Sequence, residues 1–179
     1  WPLVAEQMKD IALIRSMTNR EGNHQRATYQ LHTGYAPTGS VKHPSLGSVV
    51  SKEIGDAAHE LPQFVAIGSS RGLSGISAGF LGVGYDPFSV SSPERPPDNT
   101  KLAVDSGRLG RAIGLLDKLE GEFSRAGASD RVREHRALYA KARRLATSKR
   151  LAAFDISSES AKTRELYGDG SFGKGCLLA

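Results

Sequence analysis

The chain has little sulfur and few aromatics: one cysteine, two methionines and one tryptophan in 179 residues, with aromatics at 7%. A lone Cys176 excludes an internal disulfide and any metal site built from several thiolates, and the sequence expectation is a thiol buried beside Leu177 and Leu178. No stretch approaches the ~20 consecutive apolar residues of a membrane-spanning helix. The start, Trp1-Pro2-Leu3-Val4-Ala5-Glu6, has neither the basic nor the apolar region of an export signal. No internal repeat is visible. What is present is a globular composition, 39% hydrophobic and 24% charged with 20 glycines, which excludes wholesale disorder. The Trp1 start and the apolar finish at Gly175-Cys176-Leu177-Leu178-Ala179 lack capping signals and read as a fragment of a larger domain.

The net charge of +5 is local. Residues 101–150 hold 13 Lys/Arg against 6 Asp/Glu, while the remainder is net −2. In that basic half Val132, His135, Leu138, Ala142 and Leu145 recur at helical spacing, with Arg131, Arg133, Arg136, Lys141, Arg143, Arg144, Lys149 and Arg150 mostly between them. Such a face can be simply solvated, or can bind a polyanion such as acidic polysaccharide. Aromatics do not interleave with the charge as a single-strand nucleic-acid binder requires, which favours the solvated face.

Along the chain, Ile11-Ala12-Leu13-Ile14 and Phe64-Val65-Ala66-Ile67 read as short buried parallel strands. Pro44 can open a helix carrying Leu46, Val49, Val50 and Ile54, ended by Gly55. This alternation predicts an α/β layer fold. Residues 1–67 then form a strand-and-helix core and 68–100 a Gly/Ser/Pro-rich loop. Residues 101–179 form a helical region, with helices expected near 105–126, 130–147 and 158–167.

Ligands of open α/β sheets sit beyond the carboxyl ends of the parallel strands. Two polar segments occupy those places: residues 15–26, read as a loop, and 68–75. The first carries Glu21, Asn23, His24 and Arg26 as candidates, the second Ser70 and Arg71. His24 can ligate a metal, shuttle a proton, bind an anion, or only hydrogen-bond the loop. Glu21 can orient it or join a metal shell. Arg26 and Arg71 suit a phosphate or sulfate oxygen, or equally a structural carboxylate. Thr28 and Ser70 can act as nucleophiles only beside a base. His43 is expected to cap the helix at Pro44, and Tyr85-Asp86-Pro87-Phe88 to form a turn with two aromatic anchors.

The runs Ser16-Met17-Thr18-Asn19-Arg20-Glu21-Gly22-Asn23-His24-Gln25-Arg26-Ala27, Thr33-Gly34-Tyr35, His43-Pro44-Ser45-Leu46-Gly47-Ser48 and Gly79-Phe80-Leu81-Gly82-Val83-Gly84-Tyr85-Asp86-Pro87-Phe88 resemble a bacterial family, domain of unknown function fifteen-oh-one. That resemblance covers nearly the whole chain. It implies similarity to the alkaline phosphatase and sulfatase superfamily, export behind a twin-arginine signal, and a length more than twice that seen here. It also implies a divalent metal (Zn, Ca, Mg or Mn) held largely by an early Asp and by later Asp/His clusters outside these residues. In sulfatases a Cys or Ser nucleophile stands ten residues before the Gly of a Leu-Thr-Gly step. The position ten before Gly34 is His24, and the Pro-Ser-Arg that should follow is absent, so formylglycine chemistry is not expected. The implied activity is hydrolysis of a phosphate or sulfate ester, with Glu21, Asn23 and His24 as catalytic candidates and Arg26, Thr28, Ser70 and Arg71 as substrate contacts. The alternative is a non-catalytic exported protein that binds acidic polysaccharide or an envelope partner; the implied export leaves no nucleic-acid partner expected.

Overall fold

A computed structural model describes the whole chain except residues 57, 69–73, 99, 101 and 103, together with the side chains of 106, 128 and 129. It is mixed but mostly helical. Seven α-helices are described: α1 Pro2–Glu6, α2 His24–Thr33, α3 Leu46–Glu53, α4 Ser106–Phe123, α5 Ser129–Thr147, α6 Ala161–Tyr167 and α7 Ser171–Leu178. Two strands, β1 Val65–Ile67 and β2 Phe88–Val90, pair in parallel with Val65 opposite Phe88 and Ile67 opposite Val90.

Several expectations are met. The 64–67 run contains β1, and the basic periodic segment is α5. The expected helix after Pro44 is α3, although Pro44 precedes it: Ser45 is the N-cap and Ile54, before Gly55, ends it.

Others are corrected. Residues 11–14 run without regular structure, with Leu13 63% and Ile14 66% exposed and no strand partner among the described residues. An apolar run becomes a strand only when a neighbouring backbone takes up its N–H and C=O groups, and β1 pairs instead with β2. Residues 24–33, read as loop, are helical. Asn23 caps that helix by accepting from the Arg26 N–H at 3.1 Å, and Gly34 ends it in the left-handed conformation. Phe88 opens β2 rather than anchoring a turn. Cys176 is exposed. On α7 it is Gly175 that faces β1, close enough that a Cβ there would lie 3.5 Å from the Ile67 side chain. The next residue, turned by about 100° on a helix of 3.6 residues per turn, therefore points outward.

The tightest packing joins four sequence-distant segments. Ser45 N–H donates to Ser77 C=O at 2.9 Å, and Phe80 N–H to Lys42 C=O at 3.0 Å. His43 N–H donates to the Tyr29 hydroxyl of α2 at 2.7 Å, and Ala78 N–H to Asp86 Oδ1 at 2.6 Å. Around this seam Ala78, Ser45 and Ser48 are buried, and the two serine hydroxyls share a hydrogen bond of 3.1 Å. The backbones approach so closely that two positions exclude a side chain. A Cβ on Gly75 (φ +85°) would lie 2.8 Å from Tyr29 Cα, and one on Gly79 (φ +52°) 2.6 Å from the His43 carbonyl carbon. Val90 of β2 is buried, and Phe88 packs on Phe154, ring centroids 5.7 Å apart.

The α4–α5 hairpin kinks at Gly127 (φ 97°). It is held by Glu120, a buried carboxylate on α4 bonded to His135 and, at 3.0 Å, to Arg136 of α5. Those bonds, His135 first, hold the Glu120 carboxyl below the usual range against the opposing effect of burial. From α5, Lys141 reaches the Gly84 carbonyl at 2.6 Å and lies over the Tyr85 ring at 5.1 Å.

Gly79→Ala places a Cβ against backbone at a positive φ, and is expected to destabilise the protein by about 2 kcal/mol or more. Tyr29→Phe removes one acceptor from a part-buried N–H and is expected to cost about 1 kcal/mol. Urea titration of both variants tests the seam: a Gly79→Ala midpoint equal to that of the parent would show that the seam is not formed.

Candidate functional site

The segment 19–28 is built from the chain outward. Asn19 Oδ1 accepts from the Glu21 N–H at 3.0 Å, and Glu21 Oε1 from the Asn23 N–H at 3.2 Å. The Arg26 Nε donates to Glu21 Oε2 at 2.7 Å. Each is a short-range contact at the amino end of α2, where orphan N–H groups require acceptors. The Arg26 guanidinium, followed by the Asn23 amide, holds the Glu21 carboxyl below its ordinary range.

These bonds assign the candidates differently from the sequence reading. Glu21 engages Arg26 and Asn23, and no hydrogen bond joins it to His24 among the described residues. Asn23 is the helix cap. Arg26 meets a structural carboxylate of its own chain, so its fork is only partly open to an oxyanion. Thr28 donates its hydroxyl to the His24 carbonyl at 2.7 Å, the usual back-bond of a helical threonine, with no base beside it among the described residues. His24 stands exposed in the first turn of α2. Ser70 and Arg71 lie outside the described residues. The structure thus brings Glu21, Asn23 and Arg26 into one network and leaves His24 beside it.

Among the described residues no three His, Cys, Asp or Glu side chains come together as a group that could hold a metal ion. Glu21 is already engaged at both oxygens, so the residues here do not by themselves fit a divalent cation.

Other histidines take structural places. His43, expected as a helix cap, instead lies stacked on Tyr35 at 4.1 Å and edge-on to Phe80 at 6.1 Å. His32 Nδ1 lies 3.3 Å from the Ser74 carbonyl. The groups that sequence reasoning missed are Tyr29 and the buried Ser45/Ser48 pair. Their one visible signal is Ser45-Leu46-Gly47-Ser48, a serine just before a helix with a second hydroxyl three residues on.

The mostly helical chain with a small parallel sheet, its Tyr35, His43–Ser48, Gly79–Phe80 and Asp86 residues gathered at one seam, is matched over residues 1–179 by a family model described as a protein of unknown function (DUF1501). The chain belongs to that family. No curated protein and no solved structure gives a significant match.

Because the folded Glu21 pKa is lowered, the stability its charge contributes is present above the ordinary carboxylate pKa and is lost as pH falls through the folded value. Glu21→Gln is therefore expected to be less stable than the parent at neutral pH, with the difference closing under acid conditions. Denaturation midpoints across that range test this; a pH-independent difference would exclude the Glu21–Arg26 pair as its source.

Proposed function

We propose that this chain is part of an exported hydrolase of the alkaline phosphatase and sulfatase type, acting on a phosphate or sulfate ester with a divalent metal (Zn, Ca, Mg or Mn). The observation that carries this reading is the parallel pairing of β1 with β2, whose connection includes short 3-10 turns at Gly79–Leu81 and Val83–Tyr85. Parallel pairs belong to sheets covered on both faces, and their ligands lie beyond the strands' carboxyl ends. β1 ends at Ile67, and the N–H of Gly68, which follows it, bonds the Val90 carbonyl at 2.8 Å. Ser70 and Arg71 follow directly in sequence.

On this reading the metal ligands come mainly from the early Asp and later Asp/His clusters that the superfamily resemblance implies, and the present residues form one wall. His24, exposed and without a competing hydrogen bond among the described residues, is the group placed to exchange a proton with a leaving oxygen. An imidazole accepts a proton in its neutral form and donates one in its protonated form. Arg26 retains donors beyond its Nε for an ester oxygen. The resemblance to a superfamily supports the reaction class by analogy, and fold alone does not fix chemistry.

The test is turnover of aryl phosphate and aryl sulfate by the full-length protein with Zn, Mn, Mg and Ca. Metal-dependent hydrolysis is expected, falling about 10²-fold in His24→Ala. No metal uptake and no turnover above that variant would overturn the proposal.

A further inference from the structure

Between Glu134 and Asp155 the sequence has six Lys/Arg and no acidic residue. The structure separates these cations. Arg136 is bound to Glu120 and Asp117, and Lys141 is spent on the Gly84 carbonyl and the Tyr85 ring. Arg143 and Arg144 at the end of α5, and Lys149 and Arg150 just past it, are exposed, with no carboxylate in ion-pair reach among the described residues. Four cations thus crowd into eight residues where the helix ends and the backbone turns. The Glu60 carboxylate accepts from the Ser148 hydroxyl inside this stretch, and together with the partial negative charge of the helix terminus, about half an elementary charge, it balances fewer than half of the four cations.

We infer that Arg143, Arg144, Lys149 and Arg150 form a binding surface for an acidic polysaccharide. This surface is independent of the hydrolase reading and of the α2 segment. Guanidinium forks match sulfate and carboxylate groups in two bonds each. The rest of the surface argues against other polyanions. Tyr139, one turn before Arg143, is half exposed but lies tilted against the His135 ring with centroids 4.5 Å apart, and residues 140–153 contain no aromatic and no Asn or Gln to read a base edge. No bulky apolar side chain stands exposed among 140–150 to enter a membrane interface. What remains is a polar, cationic strip suited to a chain recognised through its charges alone.

The experiment is salt elution of the full-length protein from an immobilised, heavily sulfated polysaccharide. The parent is expected to be retained. Arg143→Glu/Arg144→Glu should elute at lower salt, and the slope of log affinity against log salt should fall by about 2, one for each lost contact. Lys149→Glu/Arg150→Glu lies outside the helix and should behave alike, which guards against a folding defect in α5; circular dichroism checks both variants. Lys9→Glu/Arg15→Glu makes the same change in net charge at exposed positions elsewhere and should leave retention unchanged. Equal loss in that control, unaltered retention in both patch variants, or tighter retention on duplex DNA or anionic vesicles than on the polysaccharide would each overturn the inference.

Discussion

Two backbone hydrogen bonds, Ser45 N–H to Ser77 C=O and Phe80 N–H to Lys42 C=O, tie the segment before α3 to the segment between β1 and β2. The rest of the described structure is arranged around that seam. It brings the Tyr29 hydroxyl to His43, so α2 is fixed to it. The Asp86 carboxylate bonded to Ala78 sets the approach to β2, and β2 aligns β1. Polar backbone buried at such a crossing must find partners, and each partner here comes from a different part of the chain. The buried hydrophobic side chains are few, Ala78, Val90, Val132 and Phe154 among those described, so directional bonds and close backbone approach contribute much of the specificity.

The same seam explains what the family motifs do. Gly79 occurs where a side chain would meet the Lys42–His43 backbone, and Pro44-Ser45 where the chain turns from the seam into α3. His43, expected to cap the helix at Pro44, instead packs against the Tyr35 and Phe80 rings. In the α2 segment, Glu21, Asn23 and Arg26 mainly build the start of a helix. Residue types suited to chemistry are also those suited to capping, because both tasks require charged or hydrogen-bonding groups on short side chains or forks.

Legibility from sequence followed the range of the interactions. The helices α4 to α6 are visible because their apolar spacing is local. β1 was visible as a short apolar run, while its partner β2 was hidden in a segment dominated by Gly and Pro. The run at residues 11–14 has the same composition as β1 and a different fate, since composition does not say which backbone will lie alongside. His24 and Glu21 are near neighbours in sequence, but that Glu21 engages Arg26 and Asn23 while His24 stays exposed depends on side-chain geometry at one helix end.

The sequence by itself determined the helical basic half, the lone thiol, the helix after Pro44 and membership in a family whose motifs span the chain. Each rests on periodicity, composition or short spacing, which act between residues only a few positions apart. The tertiary structure alone decided that Phe88–Val90 is the strand beside Val65–Ile67, that His43 stacks between Tyr35 and Phe80, and that Arg136 and Lys141 are engaged while Arg143 and Arg144 stay open to solvent. These outcomes depend on contacts between distant segments, where whether a charge is paired or free is set by what the fold places opposite it.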